Sequence, residues 1–217
     1  TIVNLLIGDF STILLNINEL KKLISQGAIK NIKDEKIRKH ISTYFHFINS
    51  LYPLLEKEKK STNLEIIPHI GESHCLSFAH QTLSIFSQSY KIQPVLITGA
   101  KAWHFANKKN NHWKDSLKIQ IKNHKYIDKI FISFGEIDCR RDEGILLYTI
   151  NKGKDISDIC KKTINGYLDY MEETLSNFYS TRYYFGTPAP SGNMESTNEL
   201  DKKRVKLVKI YNSFLKK

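Results

Sequence analysis

The first part of the chain shows apolar residues at every third or fourth position, a spacing that places them on one face of a helix. The pattern predicts one or two short helices ending near Gly27, then a longer helix over about 34–58 in which Pro53 is a candidate kink. The polar run Ser61–Asn63 predicts a hinge. Residues 1–62 are therefore predicted to form a helical N-terminal module for packing or docking.

From residue 64 onward, short apolar runs alternate with segments of helical spacing. The runs predict four buried strands, at Leu64–Ile70, Pro94–Thr98, Ile127–Phe134 and Arg182–Gly186. The other segments predict helices at about 75–87, 114–121, 156–178 and 197–215. Strands that alternate with helices of this length indicate a parallel, doubly wound sheet. Residues 63–217 are therefore predicted to be an α/β domain with three α/β/α layers.

Three of the predicted strands run into a glycine, at Gly71, Gly99 and Gly135. Because parallel strands place their carboxyl ends on one edge of a sheet, the three turns are expected to converge there. Ser73 follows the first of these turns and opens the next predicted helix. Two roles are open to it: a helix N-cap, or a nucleophile beside backbone N–H groups that could bind an oxyanion.

The composition of the chain argues against several classes of protein. The formal net charge of +11 comes mostly from lysine spread through the chain, with few arginines and no basic run interleaved with aromatics, so nucleic-acid binding is not favoured. No apolar run approaches the roughly 20 residues of a membrane span. The start of the chain shows no signal-peptide pattern. Three cysteines without C-x-x-C spacing argue against a disulfide framework and favour a cytoplasmic location.

No cofactor or metal ion is predicted. His69, His74, Cys75 and His80 lie close together in the sequence, but their intervals match no standard zinc motif. The two tryptophans, Trp103 and Trp113, are expected in the core, with stacking on a sugar as the alternative.

The glycine-marked turns, taken in order, resemble the SGNH/GDSL hydrolase family. The residues concerned are Gly71-Glu72-Ser73-His74, the lone Gly99, and Gly135-Glu-Ile-Asp138, which are similar to three of the four blocks of that family. The strings Gly99-Ala-Lys-Ala-Trp-His104 and Phe134-Gly-Glu-Ile-Asp-Cys-Arg140, with Pro188-Ala-Pro190, resemble a bacterial subgroup with a GEIDCR-type third block. The resemblance covers residues 64–217 and implies a flavodoxin-like three-layer fold.

The resemblance implies that Ser73 is the nucleophile of an esterase or acyltransferase and forms an acyl-enzyme. It also implies an oxyanion hole made by the backbone N–H groups of Ser73 and Gly99 and an asparagine side chain at position 137. Ile137 occupies that position and has no donor. Arg140 is the candidate replacement, with an ion pair to Asp138 or Glu143 as the alternative.

Other site residues follow from the same resemblance. Glu72 stands where the family has aspartate and is expected to accept backbone or arginine hydrogen bonds near the turn. Asp138 matches the aspartate of the third block and is expected to brace the Ser73 loop. His74 is next to Ser73, and neighbouring side chains on a turn seldom point together, so His74 is expected to pack beneath the loop or to line the pocket and not to act as the base. His104 is expected to do the same.

The fourth block of the family, an Asp-x-x-His that supplies the general base, does not occur in the 217 residues. One explanation is that the block follows Lys217, and the other is a degenerate site or a different base, such as His74 or His104. The sequence therefore predicts a hydrolase or O-acyltransferase acting on a small-molecule or carbohydrate ester. The alternatives are a binding or scaffold protein with the same fold and, third, a nucleic-acid-binding protein. The oligomeric state is left open.

Overall fold

The computed structural model describes residues 2–58, 64–124, 128–187 and 198–216. Eight α-helices lie in these residues, at α1 (Ile2–Ile7), α2 (Phe10–Ser25), α3 (Glu35–Glu58), α4 (Ala102–Ala106), α5 (His112–Asn123), α6 (Gly144–Lys152), α7 (Ile156–Leu175) and α8 (Glu199–Leu215). The strands are β1 (Glu65–Gly71), β2 (Thr82–Ile85), β3 (Gln88–Leu96), β4 (Lys129–Ser133) and β5 (Thr181–Tyr184). Short 3-10 segments cover Ala28–Asn31, Ser73–Phe78 and Ile137–Cys139.

The strands form one sheet in the order β2-β3-β1-β4-β5. β1 pairs with β4 in parallel, with Gly71 opposite Ser133, and β4 pairs with β5 in parallel. β2 and β3 pair antiparallel, with Ile85 opposite Gln88. The protein is therefore mixed α/β with a mostly parallel sheet.

Contacts divide the chain into two compact units. The first contains the residues up to Ile66 together with Leu76–Pro94. In it, helices α1 to α3 bury Leu5, Ile13 and Ile48, and the ring Nε2 of His80 contacts the carbonyl oxygen of Leu5. Residues 76–94 thus pack with the N-terminal helices. The predicted hinge at 61–63, with the domain boundary it marks, lies outside the described residues.

The second unit contains Ile67–Cys75 and the residues from Val95 onward. Its core is formed by β1, β4 and the apolar faces of α4, α5, α7 and α8, and includes Phe105, Ile132, Tyr167 and Tyr211. Every residue of the candidate site described below belongs to this unit. None of the described helices is both long enough and apolar enough to cross a membrane.

The helix predicted over 75–87 is wrong. A six-residue 3-10 segment is followed there by the β2–β3 hairpin, whose two-residue turn consists of Phe86 and Ser87 at positive φ. Leu83 and Phe86, whose spacing would place them on one face of that helix, are exposed. The segment Thr82–Ile85 is rich in β-branched and hydroxyl residues, which favour a strand over a helix. This antiparallel hairpin also corrects the prediction of a fully parallel sheet.

The remaining elements differ from prediction mainly at their ends. The strand expected at Pro94–Thr98 is the end of the longer β3, and the helix expected at 114–121 is the longer α5. α3 continues through Pro53 as one helix. Two helices were not predicted: the short α4, and α6, which begins at Gly144. The string Pro188-Ala-Pro190 lies outside the described residues.

Candidate functional site

The ends of β1, β3 and β4 are tied together by backbone hydrogen bonds. Directly after β1, the N–H of Glu72 donates to the carbonyl oxygen of Ser133 at the end of β4, at 3.2 Å. Directly after β3, the N–H of Ile97 donates to the carbonyl oxygen of Gly71 at 2.8 Å. The turns that follow these strands therefore meet on one edge of the sheet, as the sequence predicts.

Asp138 joins the turn after β4 to the turn after β3. Its fully buried carboxylate accepts the N–H groups of Ala102 at 2.7 Å and Trp103 at 3.1 Å, at the start of α4. The expectation that Asp138 braces the Ser73 loop is wrong, since it holds the segment that follows Gly99. Burial raises the pKa of Asp138 to about 6, although the two N–H donors favour the carboxylate.

A buried carboxylate organises the turn after β1. The side chain of Glu72 is 2% exposed and accepts the hydroxyl of Ser73 at 3.1 Å, the backbone N–H of His74 at 3.1 Å and the His74 ring Nδ1 at 2.9 Å. This confirms that Glu72 accepts a backbone hydrogen bond at the turn. Ser73 opens a short 3-10 segment, so no α-helix dipole lies behind it.

His74 is partly exposed and paired with Glu72. The hydrogen bond that the ring donates to the Glu72 carboxylate raises the pKa of the imidazole, and the negative charge of Glu136 nearby acts in the same direction. Burial and the positive charge of Arg140 oppose that change. Within the described residues, no imidazole forms a hydrogen bond with the Ser73 hydroxyl, and His74 and Ser73 are linked only through the Glu72 carboxylate that both contact.

Beyond His74 lies a row of ion pairs that the sequence did not predict as a unit. Arg140 Nε contacts Glu136 at 2.8 Å, and Arg140 Nη1 contacts Glu143 at 3.1 Å. Glu143 also contacts Lys101 Nζ at 2.7 Å, and Arg204 from α8 contacts Glu136 at 3.3 Å. The alternative of an Arg140–Glu143 ion pair is thus confirmed. Asp138, the other suggested partner, binds backbone N–H groups instead.

The two positions expected to complete an oxyanion hole differ in character. Gly99 is exposed and has φ of +69°, and apart from its chain neighbours no described residue has an atom within 4 Å of the place where a Cβ would lie. The backbone beside it is therefore open to a ligand. Ile137 is buried in the 3-10 segment after Gly135, and its side chain offers no hydrogen bond.

His104 packs into the wall formed by α4 and α5. Its Nδ1 accepts the backbone N–H of Lys101 at 3.0 Å, which leaves the ring proton on Nε2. The ring stacks on Trp113 with centroids 3.4 Å apart, and burial lowers its pKa to about 4. Trp103, which the sequence places in the core, is half exposed. His104 thus belongs to a neighbouring cavity, which is described below.

One group of side chains could hold a divalent cation. The candidate ligand atoms, one each from the side chains of Glu72, His74 and Glu136, all lie within 4.8 Å of one another. Glu136, however, is already paired with the guanidinium groups of Arg140 and Arg204, and two positive charges beside a ligand oppose cation binding. The geometry therefore favours a network of ion pairs here over a metal centre.

Sequence reasoning missed Glu136, Lys101 and Arg204, and it named Glu143 only as a partner of Arg140. A signal for part of the row exists, because Glu136 and Glu143 lie four residues before and three residues after Arg140. Arg204 lies 68 residues from Glu136, and nothing in the sequence links the two. Comparison with known protein families, with curated proteins and with solved structures found no match to this chain.

The Asp138 contacts give a stability prediction. Asp138→Ala leaves the buried N–H of Ala102 and the partly buried N–H of Trp103 without an acceptor, at about 1–3 kcal/mol for a fully buried group and less for the second. We expect the free energy of unfolding to fall by about 3 kcal/mol, as measured by urea denaturation. Asp155→Ala is the matched control, because Asp155 caps α7 through one exposed hydrogen bond and its loss costs about 1 kcal/mol. Equal losses in the two variants would contradict this assignment.

Asp138 also predicts a pH dependence. Because its pKa in the folded protein lies above the ordinary aspartate value of 3.8, the unfolded chain loses the proton first as pH rises. The ionisation of Asp138 therefore lowers the free energy of unfolding as pH rises from about 4 to about 6, and the loss stays constant at higher pH. We expect Asp138→Asn to lose this component of the pH dependence, as measured by urea denaturation at a series of pH values.

Proposed function

We propose that the protein is a serine ester hydrolase or O-acyltransferase of the SGNH/GDSL type, in which Ser73 forms an acyl-enzyme. The proposed substrate is a small-molecule or carbohydrate ester. The strand order β3-β1-β4-β5 supports a flavodoxin-like arrangement, in which ligands bind at the carboxyl ends of the strands.

The observation that carries the proposal is the position of Ser73. Its hydroxyl is partly exposed, follows the carboxyl end of β1 and donates to a carboxylate that is 2% exposed. A buried carboxylate beside a serine hydroxyl orients it and accepts its proton. The same carboxylate holds His74, which supplies a proton donor within the same cluster.

In the proposed reaction, the Ser73 oxygen forms a bond to the ester carbonyl carbon while its proton passes to Glu72. The tetrahedral intermediate collapses when the bond to the alcohol oxygen breaks, and that oxygen takes a proton from the His74 imidazolium. Water or a second hydroxyl compound then attacks the acyl carbon and gives its proton to the neutral His74. The bond from the acyl carbon to the Ser73 oxygen breaks, that oxygen recovers its proton from Glu72, and the acid or the new ester leaves. Because a carboxylate is a weaker base than a neutral imidazole, we expect slow turnover.

The oxyanion in this scheme is bound by the backbone N–H groups of Ser73 and Gly99. Ile137 adds no donor, and one missing donor lowers the rate by about 10²–10³. Arg140 is the proposed third donor. Its Nε and Nη1 are held by Glu136 and Glu143, which keep the guanidinium in place near His74.

A fluorophosphonate probe, which reacts with activated serines, tests the proposal. We expect the protein to be labelled at Ser73, as identified by peptide mass spectrometry, and labelling to disappear in Ser73→Ala. Ser77→Ala is the matched control, because Ser77 is exposed in the same 3-10 segment and should leave labelling unchanged. Labelling that persists in Ser73→Ala would remove Ser73 as the nucleophile.

A second candidate function is a binding or scaffold protein that uses the same fold without turnover. Two observations favour it: the buried Ile137 in place of a donor, and a Ser73 hydroxyl that contacts a carboxylate instead of an imidazole. Absence of labelling in a folded wild-type protein would support this second function.

A further inference from the structure

A cavity of about 670 Å³ lies in the second unit, between α4 with the loop after it, α6 and α7. Its volume is in the range of small-molecule sites, which is about 300–1,000 Å³. The proposed esterase chemistry does not use this cavity. Its connection to the Ser73 site is Lys101, which lines the cavity and forms the ion pair with Glu143 described above.

The lining of the cavity is strongly positive. Besides Lys101, it contains Lys108, Lys109 and Lys162, and none of these three lysines forms an ion pair with a described residue. The carboxylate in the lining, Asp138, is fully buried and bound by two backbone N–H groups. Lysines without carboxylate partners around a concave surface attract anionic ligands, and lysine is a common phosphate binder.

The cavity also offers ring surfaces and buried polar groups. Trp103 and Tyr148 line it and are 51% and 48% exposed, which is high for aromatic side chains. His104 and Thr163 line it and are buried. Since His104 Nδ1 already accepts a backbone N–H, its Nε2–H remains as a donor for a ligand. A ring and an anionic group can therefore be bound together.

We propose that this cavity binds a phosphorylated small molecule, with its phosphate among Lys108, Lys109 and Lys162 and its ring against Trp103. Two ligand sources share this chemistry: a nucleotide, in which a base stacks on the indole, and a sugar phosphate, in which a pyranose ring packs on it. The site goes beyond the proposed esterase function and does not depend on it.

Isothermal titration calorimetry of the full chain with ADP and with glucose 1-phosphate tests the proposal and separates the two sources. We expect one of them to bind, and adenosine and glucose, which lack phosphate, not to bind detectably. Binding should weaken between about 50 mM and 500 mM salt because charge screening increases. If neither phosphorylated compound binds, or if the uncharged compounds bind equally well, the proposal is overturned.

Two variants assign the binding to the cavity. Lys162→Ala should weaken binding about tenfold, the effect of one partly screened charge pair. Lys161→Ala is the matched control, because Lys161 is the adjacent exposed residue of α7 and does not line the cavity. Trp103→Leu should weaken ligand binding about tenfold and leave binding of inorganic pyrophosphate unchanged. Equal affinities for Lys162→Ala and Lys161→Ala would place the ligand elsewhere.

The same measurement on Ser73→Ala separates this proposal from the esterase proposal. We expect the variant to bind the phosphorylated ligand with unchanged affinity while it loses fluorophosphonate labelling. A wild-type protein that binds the ligand without being labelled would contradict the esterase proposal alone. A protein that is labelled without binding the ligand would contradict the cavity proposal alone.

Discussion

Gly135→Ala is expected to lower the free energy of unfolding by about 4 kcal/mol. Gly135 has φ of +131°, where an L-residue is strained by about 1–3 kcal/mol. An added Cβ would also lie 2.4 Å from the ring of Tyr211. That ring is fully buried and its hydroxyl donates to the carbonyl oxygen of Phe134 at 3.1 Å, so it cannot move aside cheaply. Overpacking of this kind costs about 1–3 kcal/mol more.

Urea denaturation followed by circular dichroism measures this loss, and thermal unfolding should show a midpoint about 12 °C lower. Gly153→Ala is the matched control, because Gly153 has φ of +60° at the end of α6 with no atom within 4 Å of an added Cβ. It should cost about 1–2 kcal/mol from backbone strain alone. Similar losses in both variants would show that contact with Tyr211 is unimportant.

Glu72→Gln is expected to slow fluorophosphonate labelling of Ser73 by about 100-fold. The amide removes the negative charge that accepts the Ser73 proton, and proton transfer of this kind contributes about 10²–10⁴ to a rate. Glu65→Gln is the matched control, since Glu65 is the exposed first residue of the same strand and its side chain contacts Gln88. A labelling rate that is unchanged in Glu72→Gln would remove Glu72 as the proton acceptor.

The same variant should lower the pKa of His74, which NMR of the imidazole carbon protons measures without any assay of activity. The His74–Glu72 pair stabilises the fold fully below the ordinary histidine pKa of 6.5, and this stabilisation is lost as pH rises through the higher pKa of the folded state. Glu72→Gln should therefore lose this component of the pH dependence. A His74 pKa that does not change would contradict the pairing.

The helices α3, α7 and α8 and the strands β1 and β4 could be predicted because their apolar spacing is regular over most of their length. The hairpin β2–β3 could not be predicted, because apolar residues in this segment repeat at helical intervals, at Leu76, Ala79, Leu83 and Phe86. The sequence signal for a strand is the alternation of hydroxyl and apolar residues over Thr82–Ile85. That segment forms a strand only because it pairs with β3.

The residues of the candidate site also fall into those that the sequence indicates and those that it does not. Glu72, Ser73 and His74 are adjacent, so the sequence places them on one local turn, but it does not predict that the Glu72 carboxylate binds both of the other side chains. The role of Asp138 could not be predicted, since its partners are backbone N–H groups, which have no side-chain signature, and they lie 35 and 36 residues earlier. The Arg204–Glu136 contact likewise depends on where α8 packs.

The two outer strands of the sheet, β2 and β5, are only four residues long each. An edge strand exposes unpaired N–H and carbonyl groups that can hydrogen-bond to a strand of another molecule. Short edges offer few such groups, and the antiparallel β2 ends in a tight turn. Both edges are therefore poor templates for intermolecular β-sheet growth, which protects a chain rich in β-branched residues from aggregation.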